Sequence, residues 1–148
     1  MAVPLGYEFL IDPGRVTILS EEGPLIRRVY PAGREHPSDH EPTYAGNSIG
    51  HWEGQTLVID TIDLTPKTQF FKRIKTSGKT PMTERIHVLD HNRMKLETAT
   101  EDPVALTAAW QYSVTYSRSS TPFMEAITAT TIAMPRESRI FAPRKLIA

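Results

Sequence analysis

Period-two alternation of apolar and polar residues, broken by tight-turn dipeptides, constrains this chain more than any other feature. "YEFLID" and "RVTILSE" flank Pro13-Gly14, and a turn there pairs Ile11 with Val16 and Phe9 with Ile18, all on one face. "EEGP" turns the chain into the strand "LIRRVY". "SIGHWE" and "TLVIDTI" meet around Gly54-Gln55, and "TERIHVL" and "MKLETAT" meet around "DHNR". In "TAAWQYSVTYSR", Trp110, Tyr112, Val114 and Tyr116 share a face. "FMEAITATTIA" is mixed: its Thr and Ile favour strand, its Met, Glu and Ala suit helix, and it is read as strand. The result is a run of eight or nine strands on short turns with no convincing helix. Such a meander must protect its sheet edges, and closure does so. The expected fold is all-β: a single antiparallel up-and-down β-barrel, lipocalin-like, of a size that fills with side chains or holds one small ligand. A two-sheet β-sandwich is the alternative.

The length of 148 residues fits a single domain spanning 1–148, and a hydrophobic fraction of 39% can supply its core. Seventeen basic residues balance seventeen acidic ones, so there is no basic excess to point to nucleic acid. Cysteine is absent, which excludes disulfides, thiolate catalysis and Cys-type zinc sites. No apolar run approaches the roughly 18–20 residues that span a bilayer, so no membrane partner is expected. "MAVPLGYEFLID" lacks the charged and apolar regions of a signal peptide, which reads as cytoplasmic for the chain as written.

Two connections break the short-turn rule. Residues 31–47, "PAGREHPSDHEPTYAGN", exceed the roughly 12–15 residues beyond which loops are usually lids, binding loops or disorder. With Arg34, His36, Asp39, His40 and Tyr44, this segment is expected to cover the barrel mouth. Residues 65–81 are Lys-rich and read as a solvated loop. The tail 135–148 is basic, yet Ile140, Phe141, Leu146 and Ile147 make it an extended arm suited to docking on a second subunit as a homodimer.

The hairpin "GHWEGQTLVID" carries the main functional question. A two-residue turn at Gly54-Gln55 pairs Glu53 with Thr56, His51 with Val58 and Ile49 with Asp60, and puts Trp52, Leu57 and Ile59 on the other face. Either the apolar face is core and His51, Glu53 and Asp60 face water, as is ordinary in antiparallel sheet, or the mixed face lines a cavity. In the second case His51 beside two carboxylates suits proton transfer. On the next hairpin, Arg85, His87 and Leu89 share one face and Glu84, Ile86 and Val88 the other; inward burial would shift the pKa of His87. His36, Asp39 and His40 are metal-ligand types, but match no zinc spacing, and no metal is expected. Neither a phosphate loop nor a G-x-S-x-G elbow occurs.

"PGRVTILSEEGPLIRRVYPAGREHP", "YAGNSIGHWEGQTLVIDT", "ERIHV" and "EDPVALTAAW" together resemble a large family of small, mostly uncharacterised bacterial proteins. That family carries a G-x-W-E-G-D-T-L-V-V-D-T core preceded by R-x-I-Y-x-D-G-R-x-H-P. The resemblance covers roughly residues 13–110 and implies motif positions rather than a reaction. Those positions are Arg28, Tyr30, Gly33, Arg34, His36, Trp52, Glu53, Gly54, Asp60, Glu84, His87, Asp102 and Trp110. Gln55 and Ala32 stand where the family has Asp, the loop at 90–93 is shorter, and the end after Arg118 departs from the family's Cys-containing one. Members often carry a secretion signal. The G-x-W at 50–52 is also similar to lipocalins.

The expectation for function is a cofactor-independent acid/base enzyme, an isomerase, lyase, dehydratase or cyclase, acting on a small apolar or aromatic compound in the barrel. Asp60 or Glu53 would be base and His51 or His87 acid, while Arg28 or a tyrosine stabilises an oxyanion. Tyr30, His36, Tyr44, Trp110 and Tyr112 would bind the ligand. The rival reading is a non-catalytic binding protein for a small hydrophobic ligand; a third is an assembly module that docks through its tail.

Overall fold

Both tight hairpins form in the expected register. The structure, a computed structural model, describes residues 6–21, 25–67, 69–70, 74–75, 77–78, 80–120 and 139–141. Strands β1 (Gly6–Asp12) and β2 (Arg15–Ser20) pair Phe9 with Ile18 and Ile11 with Val16. Strands β4 (Asn47–Glu53) and β5 (Thr56–Ile62) pair Glu53 with Thr56, His51 with Val58 and Ile49 with Asp60. Gly54 takes a φ of 60° while Gln55 stays in the ordinary negative range. That combination is a type II′ turn, whose twist matches the flanking strands and whose first central position favours glycine.

Strand β3 (Leu25–Pro31) follows β2. A short pair, β6 (Gln69–Phe70) and β7 (Ile74–Lys75), lies in the connection after β5. Strands β8 (Met82–Asp90), β9 (Arg93–Thr100) and β10 (Trp110–Arg118) complete the run. Eight strands curl as one sheet, and β11 (Arg139–Phe141) bridges β1 and β10 to close the barrel. The architecture is thus all-β and barrel-like, with no helix among the described residues. Of the expected C-terminal arm, 139–141 is this closing strand; the other arm residues, and the strand expected over 123–133, lie outside the described residues.

The chain is not a pure antiparallel meander. Strands β3 and β4 are parallel, with Val29 opposite Ser48 and Pro31 opposite Gly50, and β11 is parallel to both its neighbours. Parallel neighbours cannot be joined by a tight turn, so the chain must travel back before it starts the second strand. That is where the length of residues 32–46 goes. Thr43 bridges to Leu64 beyond the end of β5, and its amide donates to the Asp63 carbonyl at 2.9 Å. The segment therefore runs from the end of the barrel that holds the β4–β5 turn towards the opposite end.

The two ends differ as a result. The hairpin end carries the β1–β2, β4–β5 and β8–β9 turns. The loop end carries the connections from β5 to β8 and from β9 to β10. Inside, Phe9, Ile18, Leu57, Ile59, Ile86 and Leu96 form the core, with Tyr116 fully buried among them. Each such aliphatic side chain contributes about 1.5–3 kcal/mol by leaving water. Gly50 is small of necessity: a Cβ there would come within 2.7 Å of the Val29 side chain and 3.0 Å of the Val58 carbonyl.

Asp102 organises the loop end. Its carboxylate accepts hydrogen bonds from the Thr80 hydroxyl, the Ser77 amide at 2.7 Å, and the Val104 and Ala105 amides at 3.1 and 3.0 Å. Burial alone would raise its pKa; the Thr80, Ser77 and Ala105 hydrogen bonds overrule that and hold it well below the usual carboxylate range. One buried side chain thus ties Ser77 and Thr80 to Val104 and Ala105.

Candidate functional site

Burial settles which face of the central hairpin points inward. Leu57 and Ile59 lie in the core, so Trp52, paired with Leu57, is on the interior face; His51, Glu53 and Asp60 face solvent. The expectation that the mixed face lines a cavity is corrected: the barrel turns its continuous apolar row inward because that removes more hydrocarbon from water.

On the outer face these groups engage one another. Glu53 accepts from Arg85 at 2.5 Å and pairs with His51 at 3.2 Å, and these two partners pull its pKa down. Asp60 accepts from the Thr83 hydroxyl at 2.9 Å. His87 Nδ1 lies 3.0 Å from the Thr56 hydroxyl and its Nε2 lies 2.6 Å from Glu97, which Lys95 also contacts at 2.5 Å. In one tautomer Nδ1 accepts from the Thr56 hydroxyl and Nε2 donates to Glu97. Thr56, His87 and Glu97 have the order of a hydroxyl, base and carboxylate relay. They sit, however, on the outer face of β5, β8 and β9, and β5 and β8 each have a neighbour on both sides. Backbone amides there are committed to strand pairing, which leaves no pair free to hold an oxyanion. Asp60→Asn is accordingly expected to shift stability by no more than about 0.5 kcal/mol, the usual range for surface changes. A urea melt of the variant beside the parent checks this.

The other sequence-derived candidates scatter. Arg28 is exposed on the outer face of β3. Tyr30, also outward, lies beneath the Arg34 guanidinium at 4.3 Å from its ring centroid. His36 bonds Asn47 at 2.7 Å, His40 lies 3.6 Å from Asp63, and Tyr44 is exposed. Among the described residues no three His, Asp or Glu side chains converge as metal ligands. Trp110 and Tyr112 do face inward, their rings 4.8 Å apart.

An apolar concave site lies at the hairpin end. A cup of about 340 Å³ opens there, walled by Phe9, Ile11, Val16, Trp52, Leu57, Ile86, Val88 and Met94, with Asp90, His91, Asn92, Arg93 and Arg118 around the rim. No residue of 31–47 lines it, so the expected lid lies elsewhere, its length spent on the parallel crossover. Trp52, Ile11 and Val88 are 50%, 51% and 49% exposed, which marks an open apolar mouth. At the rim, Arg93 is held by Asp90 at 2.7 Å.

Below the cup is a polar centre that the candidate set lacked. Arg27 Nη1 and Glu84 Oε2 are 2.5 Å apart inside the barrel, their side chains only 13% and 8% exposed. Burial opposes the charge of Arg27, but Glu84 outweighs it and raises the arginine's pKa. Tyr7, Tyr112 and Tyr116 surround the pair, and burial foremost pushes all three phenols up, so they remain neutral donors. The Tyr7 and Tyr116 rings meet edge-on at 5.4 Å. A signal for this centre was present in the sequence: Glu84 alternates with Ile86 and Val88, and Arg27 with Leu25 and Val29. A carboxylate on an apolar face calls for a cation on the face opposite.

Comparison with protein-family models, with curated proteins and with solved structures finds no match to this chain. The site must therefore be read from its own chemistry.

Proposed function

We propose that the protein binds a small apolar or aromatic molecule in the cup at the hairpin end of the barrel. The observation that carries this reading is the ring of three large apolar side chains, Ile11, Trp52 and Val88, left half exposed around one concave mouth. Keeping them in water forfeits burial energy in the free protein, and a ligand regains it. The volume falls within the usual range for small-molecule pockets.

An acid–base reaction on the same ligand is the second reading. His51, Glu53, Asp60 and His87 lie on the outer face, so the groups that could serve it are Glu84 and the interior tyrosines. The apolar walls favour binding first.

Trp52 provides both reporter and test. Its fluorescence should shift to the blue when an apolar aromatic such as 2-methylnaphthalene fills the cup. Trp52→Ala should weaken that affinity about tenfold, the equivalent of losing one aromatic contact and its buried area. Equal affinity in the variant, measured by calorimetry, would place the ligand elsewhere.

A further inference from the structure

The buried pair below the cup is chemically expensive for a barrel whose other central side chains are largely apolar. Pairs of this kind can often be replaced by hydrocarbon without loss of stability. Beside it lies a chamber of about 10 Å³, lined by Tyr7, Arg27 and Glu84 on its polar side. That is room for one water or one hydroxyl. Phe9, Ile86 and Met94 line both the chamber and the cup and so lie between the two. Met94 is the adjustable member of that partition, since an unbranched thioether changes rotamer readily.

The polar atoms around the chamber are not fully used. Glu84 Oε2 is buried and makes no hydrogen bond of acceptable geometry, although Arg27 sits against it. Tyr7 is the tyrosine that lines the chamber, and next to it the Tyr116 hydroxyl is buried without a well-formed hydrogen bond. A buried acceptor in this state gains from a partner that donates a hydrogen bond to it.

We propose that the chamber is the polar subsite of the cup and takes one neutral hydroxyl, so that the ligand is a phenol-like compound with an aromatic body in the cup. This rests on the cup being the ligand site. The hydroxyl donates to Glu84, and its oxygen lone pairs are open to Arg27 or a tyrosine hydroxyl. A carboxylate head does not fit: it needs more room and would face the Glu84 anion in a low-dielectric interior. A methyl group fits by size but offers Glu84 no hydrogen-bond donor.

Three probes that share one aromatic body test this by calorimetry on the full chain: 2-naphthol, 2-methylnaphthalene and 2-naphthoate. The wild type should bind 2-naphthol at least about tenfold more tightly than 2-methylnaphthalene, the scale set by one satisfied buried polar group, with 2-naphthoate weakest. The double variant Arg27→Met/Glu84→Leu should bind 2-methylnaphthalene as well as the parent and lose the preference for the naphthol. Should that variant not fold, Glu84→Gln keeps the side-chain shape, removes the anion and should reduce the same preference. Equal wild-type affinities for 2-naphthol and 2-methylnaphthalene, or a preference that survives in the variants, would overturn the subsite while leaving the cup reading intact. Binding of none of the three would overturn both.

Discussion

Asp102→Ala is expected to lower the unfolding free energy by about 3–5 kcal/mol, because it strands several donors that now share one buried carboxylate. The Ser77, Val104 and Ala105 amides and the Thr80 hydroxyl all point at that group. Water cannot replace it freely, since Asp102 is only 2% exposed. For a domain of this size the loss corresponds to a fall in Tm of roughly 10–20 °C. Calorimetric melting provides the measurement, and a shift within the noise would show that the loops hold themselves. The effect has a pH signature. The folded pKa lies below the unfolded value near 3.8, so the carboxylate's contribution is complete above that value and is lost as pH falls towards the folded one. Asp102→Asn should therefore destabilise at neutral pH and flatten the acid limb of the stability curve below about pH 4.

Arg27→Met alone and Glu84→Leu alone should each cost about 3–5 kcal/mol, because each leaves an uncompensated charge inside the barrel. The two together should return the protein to within about 1 kcal/mol of the parent, since an apolar pair of similar volume needs no partner there. Denaturant melts of the four proteins in a double-mutant cycle measure the coupling. Additive losses would mean that the 2.5 Å contact between Arg27 and Glu84 contributes no coupling in solution. The same double variant is the one that tests the chamber, and its stability shows whether the fold needs the pair.

The sequence by itself determined the local structure of the barrel. Pro13-Gly14 and Gly54-Gln55 set two hairpins whose registers are those observed, because a two-residue turn leaves the facing strands one way to pair. Alternation likewise sorted Trp110, Tyr112, Val114 and Tyr116 onto a single inward face. Alternation divides a strand into two faces, however, and does not say which is inside. The mixed face of 50–60 offered a histidine and two carboxylates, and only the closed sheet decided that they look outward.

Long-range pairing was beyond local signals for the same reason. The parallel union of β3 and β4 depends on where residues 32–46 return, and length alone cannot distinguish a lid from a crossover. Arg27 and Glu84 lie 57 positions apart in the chain, on β3 and β8, and meet only because both point into one barrel. Glu84 amid apolar neighbours showed that a cation was needed; the tertiary structure chose which one. The cup is likewise a tertiary object, made from three hairpin ends that are each ordinary alone and become a site only when closure gathers Ile11, Trp52 and Val88 around one mouth.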